Sequence, residues 1–147
     1  MRRIMIDASK CDGCKNCSVA CMQAHSKQEN VYTIDLSNNE NESRNHIVAG
    51  EQGGYFPIFC RHCDQPECVM SCMSGALTKD KETGHVRYDE KKCGSCFMCV
   101  MNCPYGVLKP DTKTHTKVMK CDFCFDHGEE PSCVKACPKQ AIWVEEV

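Results

Sequence analysis

Sixteen of the 147 residues are cysteine, and they fall into four groups of four with none left over. The first group is Cys11, Cys14, Cys17 and Cys21 (CDGCKNCSVAC), and the third is Cys93, Cys96, Cys99 and Cys103 (CGSCFMCVMNCP); both leave gaps of two, two and three residues. The second, Cys60, Cys63, Cys68 and Cys72 (CRHCDQPECVMSC), widens the middle gap to four. In the fourth, Cys121, Cys124, Cys133 and Cys137 (CDFCFDHGEEPSCVKACP), the middle gap is eight. The inserted residues are polar and include Pro66, Gly128 and Pro131, as in surface loops that lengthen an excursion without moving its ends. Thiolates are soft ligands, so the chemistry within reach is the binding of iron-sulfur clusters or of zinc.

The gaps favour cubane iron-sulfur clusters, 4Fe-4S. A tight loop with cysteines three apart turns three sulfurs onto three corners of one cube, and the fourth corner needs a distant residue. The last cysteine of each group is expected at the start of a short helical turn, pointing away from its own cluster and ligating a neighbour's. Two groups then exchange their last cysteines, and the chain holds four clusters. Pro104 and Pro138 fix the backbone after Cys103 and Cys137, whereas Met22 and Met73 stand in the matching places. The alternative is four zinc sites of four cysteines. Structural zinc sites usually pair two separated Cys-x-x-Cys knuckles, whereas two groups here present three cysteines in series followed by a fourth.

Short strands and turns must hold these loops. Ile4, Met5 and Ile6 form a strand leading into Cys11. GALTKDKETGHVRYDEKKC reads as a hairpin with arms at Ala76 to Thr78 and His85 to Tyr88 and a turn near Gly84. GVLKPDTKTHTKVMKC reads as a second, and Ala141 to Glu145 is the last strand. No helix of ordinary length is expected. The alternation of cysteine loop and hairpin is an internal repeat, two ferredoxin equivalents in one chain, and the fold class is small α+β. Ser26 to Gly54 breaks the rhythm with a polar, asparagine-rich stretch that reads as a linker or as a docking surface for a partner.

Composition agrees with an inorganic interior. The hydrophobic share of 41% counts cysteine, and without it roughly 30% remains, low for a globular chain. Clusters and their thiolates are expected to fill the missing core, and the metal-free chain to be unfolded. Eight disulfides would need an oxidising compartment, but Met1 to Lys10 (MRRIMIDASK) has no apolar stretch of signal-peptide length and no twin-arginine leader, so a cytoplasmic location is expected. No window is apolar enough to cross a bilayer, so no direct membrane insertion is expected. The formal charge of -2 takes every cysteine as uncharged; four oxidised cubanes on sixteen thiolates bring it to about -10, which disfavours nucleic acid as a partner.

The remaining conspicuous residues have plainer readings. His62 lies between Cys60 and Cys63, in a group that already has four sulfurs, and is not taken as a ligand. Met70, Met73, Met98 and Met101 read as soft packing against the clusters, and Trp143 as packing in the last strand. There is no nucleotide-binding glycine motif, no phosphate-binding loop and no Cys-x-x-x-Cys-x-x-Cys of radical enzymes, so no catalytic site of its own is expected.

In order, and across almost the whole chain, CDGCKNCSVAC, CRHCDQPECVMSCMSGAL, CGSCFMCVMNCPYGV and MKCDFCFDHGEEPSCVKACPKQAI resemble the four-cluster electron-transfer subunits of the dimethyl sulfoxide reductase and formate dehydrogenase type. Within that group, the short length and CMSGAL look most like the CooF type, the ferredoxin-like partners of nickel-iron carbon monoxide dehydrogenase. The resemblance implies two nested bacterial-type ferredoxin units: an outer one of residues 1-30 and 111-147, an insertion at 31-55, and an inner one of residues 56-110. It also implies the wiring. Cys11, Cys14, Cys17 and Cys137 would hold one cluster, and Cys121, Cys124, Cys133 and Cys21 its neighbour. Cys60, Cys63, Cys68 and Cys103 would hold the third, and Cys93, Cys96, Cys99 and Cys72 the fourth. The implied role is single-electron transfer between a catalytic oxidoreductase, carbon monoxide dehydrogenase first, and an acceptor such as a hydrogenase or flavin oxidoreductase. A formate dehydrogenase or another molybdenum or tungsten enzyme is the alternative partner.

Overall fold

The computed structural model describes residues 1–147. Its eight strands form four separate antiparallel pairs. The first pairs with the last: β1 (Arg2–Ile6) runs against β8 (Ile142–Glu146), with Ile4 opposite Val144. The other three pairs are hairpins: β2 (His46–Ala49) with β3 (Tyr55–Ile58), β4 (Leu77–Lys79) with β5 (Val86–Tyr88), and β6 (Lys109–Pro110) with β7 (Val118–Met119). Four helices follow the cysteine loops, α1 (Asn16–His25), α2 (Glu67–Met70), α3 (Met98–Asn102) and α4 (Ser132–Lys135). Helix α1 packs on α4 and α2 on α3. The fold is small α+β, ferredoxin-like in its short hairpins and cysteine loops.

Two small apolar centres replace a common core. One gathers Ile4, Phe59, Phe123 and Ile142 with Cys17 and Cys133, and the other gathers Leu77, Val86, Leu108 and Val118 with Cys99. Each centre thus contains thiols as well as hydrocarbon. Only 27 of the 147 residues are buried, too few to hold a chain of this length on apolar burial alone.

Helix α1 is ten residues long, where no helix of ordinary length was expected. Met22 follows Cys21, so nothing stops the turn that Cys17 begins, and the helix runs on to His25. In the third group Pro104 crowds the residue before it out of helical geometry, and Cys103 is extended (φ −72°, ψ 114°) as α3 ends at Asn102. The last cysteines accordingly lie within a helix, as Cys21, or just past the end of one, as Cys72, Cys103 and Cys137, not at helix starts.

The polar stretch after α1 is tied to both flanks. Asn45 donates to the Cys17 carbonyl, and the Arg44 guanidinium reaches Asp122. Further along the molecule, Asn39 donates to Asp111, and Glu42 accepts from the Thr112 amide while pairing with Lys109. Asp111 has no exposure at all and anchors the turn between β6 and β7, accepting from the amides of Thr114, Thr116 and Lys117.

Candidate metal centres

The four cysteine loops share one backbone device. The residue just before the second cysteine of each group has positive φ: Gly13 (74°), His62 (44°), Ser95 (56°) and Phe123 (64°). Such residues reverse the backbone from one cysteine to the next and turn both thiols to the same side. The first and third groups repeat the device two residues later, at Lys15 and Phe97. They also share an approach: Asp7 and Asp89 cap single 3-10 turns, Ala8–Lys10 and Glu90–Lys92, that deliver Cys11 and Cys93. Only Gly13 is a glycine, and a Cβ there would stand 2.5 Å from the Tyr55 ring.

None of the sixteen cysteines is in a disulfide, and they gather by fours. Cys11, Cys14, Cys17 and Cys137 line one cavity beside Lys15 and Lys139. Cys60, Cys63, Cys68 and Cys103 line another, with His62 in its wall. The two remaining sets are visible in how their thiols act on one another. Burial pushes the Cys133 thiol up, and Cys21 and Cys124 push it further; Cys21 is likewise a neighbour of Cys121 and of Cys124. Burial raises Cys99, and Cys72, Cys93 and Cys96 add to it. Each group of three therefore meets the last cysteine of another group.

This donor set suits a polynuclear cation. Burial drives Cys17 and Cys68 up to about 11, and their neighbouring thiols add to the rise. Bare thiolates are disfavoured in such places by desolvation and by mutual repulsion, and a cationic core offsets both. Backbone amides supply the remaining polarity, with Arg44 N–H donating to Cys21, Phe123 N–H to Cys121 and Ala141 N–H to Cys137 at 3.3 to 3.4 Å.

Beside Cys21, His25 donates from Nδ1 to the Cys21 carbonyl at 2.7 Å and from Nε2 to Asp122 at 2.9 Å. Burial lowers its pKa, but the hydrogen bonds to Asp122 and Cys21 and the Asp122 charge together outweigh that and hold it at about 9. His25 is thus an imidazolium, with no free nitrogen for a metal, although its ring and the ligand atoms of Asp122 and Cys124 lie within 4.8 Å of one another. His62 is buried and accepts from the Val86 amide at Nδ1. Met70, Met73, Met98 and Met101, expected as packing, are all exposed, Met73 at 92%. Trp143 is half exposed and bonded to Glu145.

Two features of the site escape sequence reasoning. The His25–Asp122–Arg44 network joins residues up to 97 positions apart. Lys120 is the other: lysines precede the first cysteine of three groups, as Lys10, Lys92 and Lys120, and only Lys120 is buried.

The sequence profile of the 4Fe-4S dicluster domain matches residues 52–147, leaving the first cysteine group outside it. Among curated proteins, electron transport protein HydN of Escherichia coli is 34% identical over 96% of this chain and 86% of its own length. The B subunit of anaerobic dimethyl sulfoxide reductase from the same organism is 37% identical, covering 93% of this chain and 69% of that one. A polypeptide of the solved BamBC active-site complex of benzoyl coenzyme A reductase covers 99% of this chain and 79% of its own, with 30% identity and a TM-score of 0.53. These similarities identify the chain as a member of the 4Fe-4S dicluster family, an iron-sulfur electron-transfer subunit of the kind found in larger oxidoreductase complexes.

Proposed function

We propose that the chain carries four 4Fe-4S clusters and conducts single electrons along them between a catalytic oxidoreductase and an acceptor protein. The observation that carries this reading is the convergence of the cysteine side chains into sets of four, each with three cysteines from one motif and one from another. The proposed ligands are Cys11, Cys14, Cys17 and Cys137 for the first cluster and Cys121, Cys124, Cys133 and Cys21 for the second. Cys60, Cys63, Cys68 and Cys103 hold the third, and Cys93, Cys96, Cys99 and Cys72 the fourth. The same assignment nests an inner two-cluster unit, residues 56-110, within an outer one, residues 1-30 and 111-147. The clusters supply one-electron chemistry with little movement of their ligands; the protein holds and insulates them. Exposed Cys14 and Cys96 belong to the two end sets, whereas Cys21, Cys124 and Cys133 of the second set are buried. That gradient supports a conductor with one port at each end.

For the donor, the resemblance carried by CMSGAL suggests a carbon monoxide dehydrogenase, with a hydrogenase or flavin oxidoreductase as acceptor. The likeness to the dimethyl sulfoxide reductase B subunit favours a second reading, in which the partner is a formate dehydrogenase or other molybdenum or tungsten enzyme. Anaerobic pull-down from native cells separates the two by the catalytic subunit that co-purifies. The electron-carrier reading itself predicts a brown protein that bleaches with dithionite and holds roughly sixteen iron and sixteen sulfide per chain. A colourless protein with about four zinc would overturn it.

A further inference from the structure

Lys120 is 4% exposed, the only lysine in the buried interior. It follows β7 and directly precedes Cys121, and its ammonium donates to the Cys121 carbonyl at 2.8 Å. On its other side Nζ stands 3.5 Å from the Cys60 sulfur. The ion pairs of the molecule join Lys10, Lys79, Lys92, Lys109 and Lys117 to carboxylates, but Lys120 has no such partner. A buried ammonium without a counter-charge is costly, so its location calls for an anion.

The anions within reach are thiolates. Cys60 and Cys121 belong to the third and second proposed sets, and Lys120 acts electrostatically on Cys121 and on Cys68 of the third set. Each cubane with four thiolates carries about two negative charges when oxidised and about three when reduced. Where the two proposed units meet, two such groups adjoin, and a single buried cation lies between them.

We propose that Lys120 is the counter-charge of this junction and sets the potentials of the two middle clusters. This role rests on the cluster assignment proposed above. The ammonium stabilises the reduced, more negative state on either side and so raises both potentials relative to an uncharged junction. Transfer across the junction oxidises one middle cluster by one electron and reduces the other by one, with no bond made or broken and no proton moved. Lys120 therefore acts as a positioning charge for electrons, not as a ligand.

The test compares Lys120→Met, Lys120→Gln and Lys120→Arg with the parent protein, purified anaerobically with iron and sulfide counted. Redox titration followed by electron paramagnetic resonance should show two of the reduction steps moved to lower potential in the neutral variants. The other steps should stay in place, and Lys120→Arg should keep the parent pattern. Unmoved steps in a fully loaded neutral variant overturn the proposal. Lys120→Gln keeps a donor for the Cys121 carbonyl, so it serves if Lys120→Met fails to load. Iron loss from both neutral variants with full loading of Lys120→Arg also assigns the charge to the junction, and iron loss from Lys120→Arg as well overturns it. A parent protein that purifies with zinc fails the electron-carrier reading before any titration, and so the two failures are distinct.

Discussion

At the scale of single residues, Gly13 and His25 show two ways in which a side chain, or its absence, supports a thiol. Gly13 combines positive φ with a close approach to the Tyr55 ring. Gly13→Ala should cost about 1–2 kcal/mol for the left-handed backbone, plus the displacement of a ring that is 40% exposed and free to swing outward. Thermal unfolding of the loaded protein would measure the loss. Adding Tyr55→Ala should leave only the backbone part, and equal effects of Gly13→Ala with and without the ring would contradict the steric account. For His25 the folded pKa of about 9 lies above the ordinary histidine value. Its contribution is complete below about pH 6.5 and is lost as pH rises through about 9. Asp122 is 43% exposed, so solvent screens the pair and the loss should be about 1–2 kcal/mol. Melting temperature between pH 7 and 10 should fall more steeply in the parent than in His25→Gln.

At the scale of elements, the hairpins were readable because turn residues separate β-prone segments. The predicted arms Ala76 to Thr78 and His85 to Tyr88 correspond to Leu77–Lys79 and Val86–Tyr88, and the first and last strands are also where expected. The cysteine groups were readable because ligand geometry fixes their spacing. Helix α1 was not, since NCSVACMQAH has no apolar face for a periodic pattern to reveal. Nor was β2 with β3: the polar stretch before β2 gives no sign of what holds it, because its contacts lie up to 78 residues away. Glu42 is central to that stretch, accepting from the Thr112 amide at 2.9 Å and pairing with Lys109. Glu42→Ala should cost about 1–3 kcal/mol, and amide exchange should quicken across residues 38–45 before it does in β4 and β5. Uniform exchange across the molecule would argue against local anchoring.

At the scale of the whole molecule, apolar burial is too sparse to hold the fold without its prosthetic groups. Thiols are themselves members of both apolar centres, so removing what they bind leaves facing sulfur atoms where a core should be. Chelation of iron under anaerobic, reducing conditions should abolish the cooperative thermal transition and most of the far-ultraviolet circular dichroism. A native-like spectrum after complete iron removal would contradict this.

The pairing of β1 with β8 also bears on biogenesis. As the ribosome makes the protein, the three hairpins can close on residues a few positions back, but β1 must wait until Ile142–Glu146 emerges. Helix α4, on which α1 packs, emerges only shortly before β8, and the thiols of the first cysteine group are therefore enclosed late. Nascent polypeptides stalled before residue 142 should therefore leave Cys11, Cys14 and Cys17 open to alkylating reagents, after the three hairpins have formed. A cell making this protein has to keep those thiols reduced and unclaimed by stray metal until Ile142–Glu146 has been made.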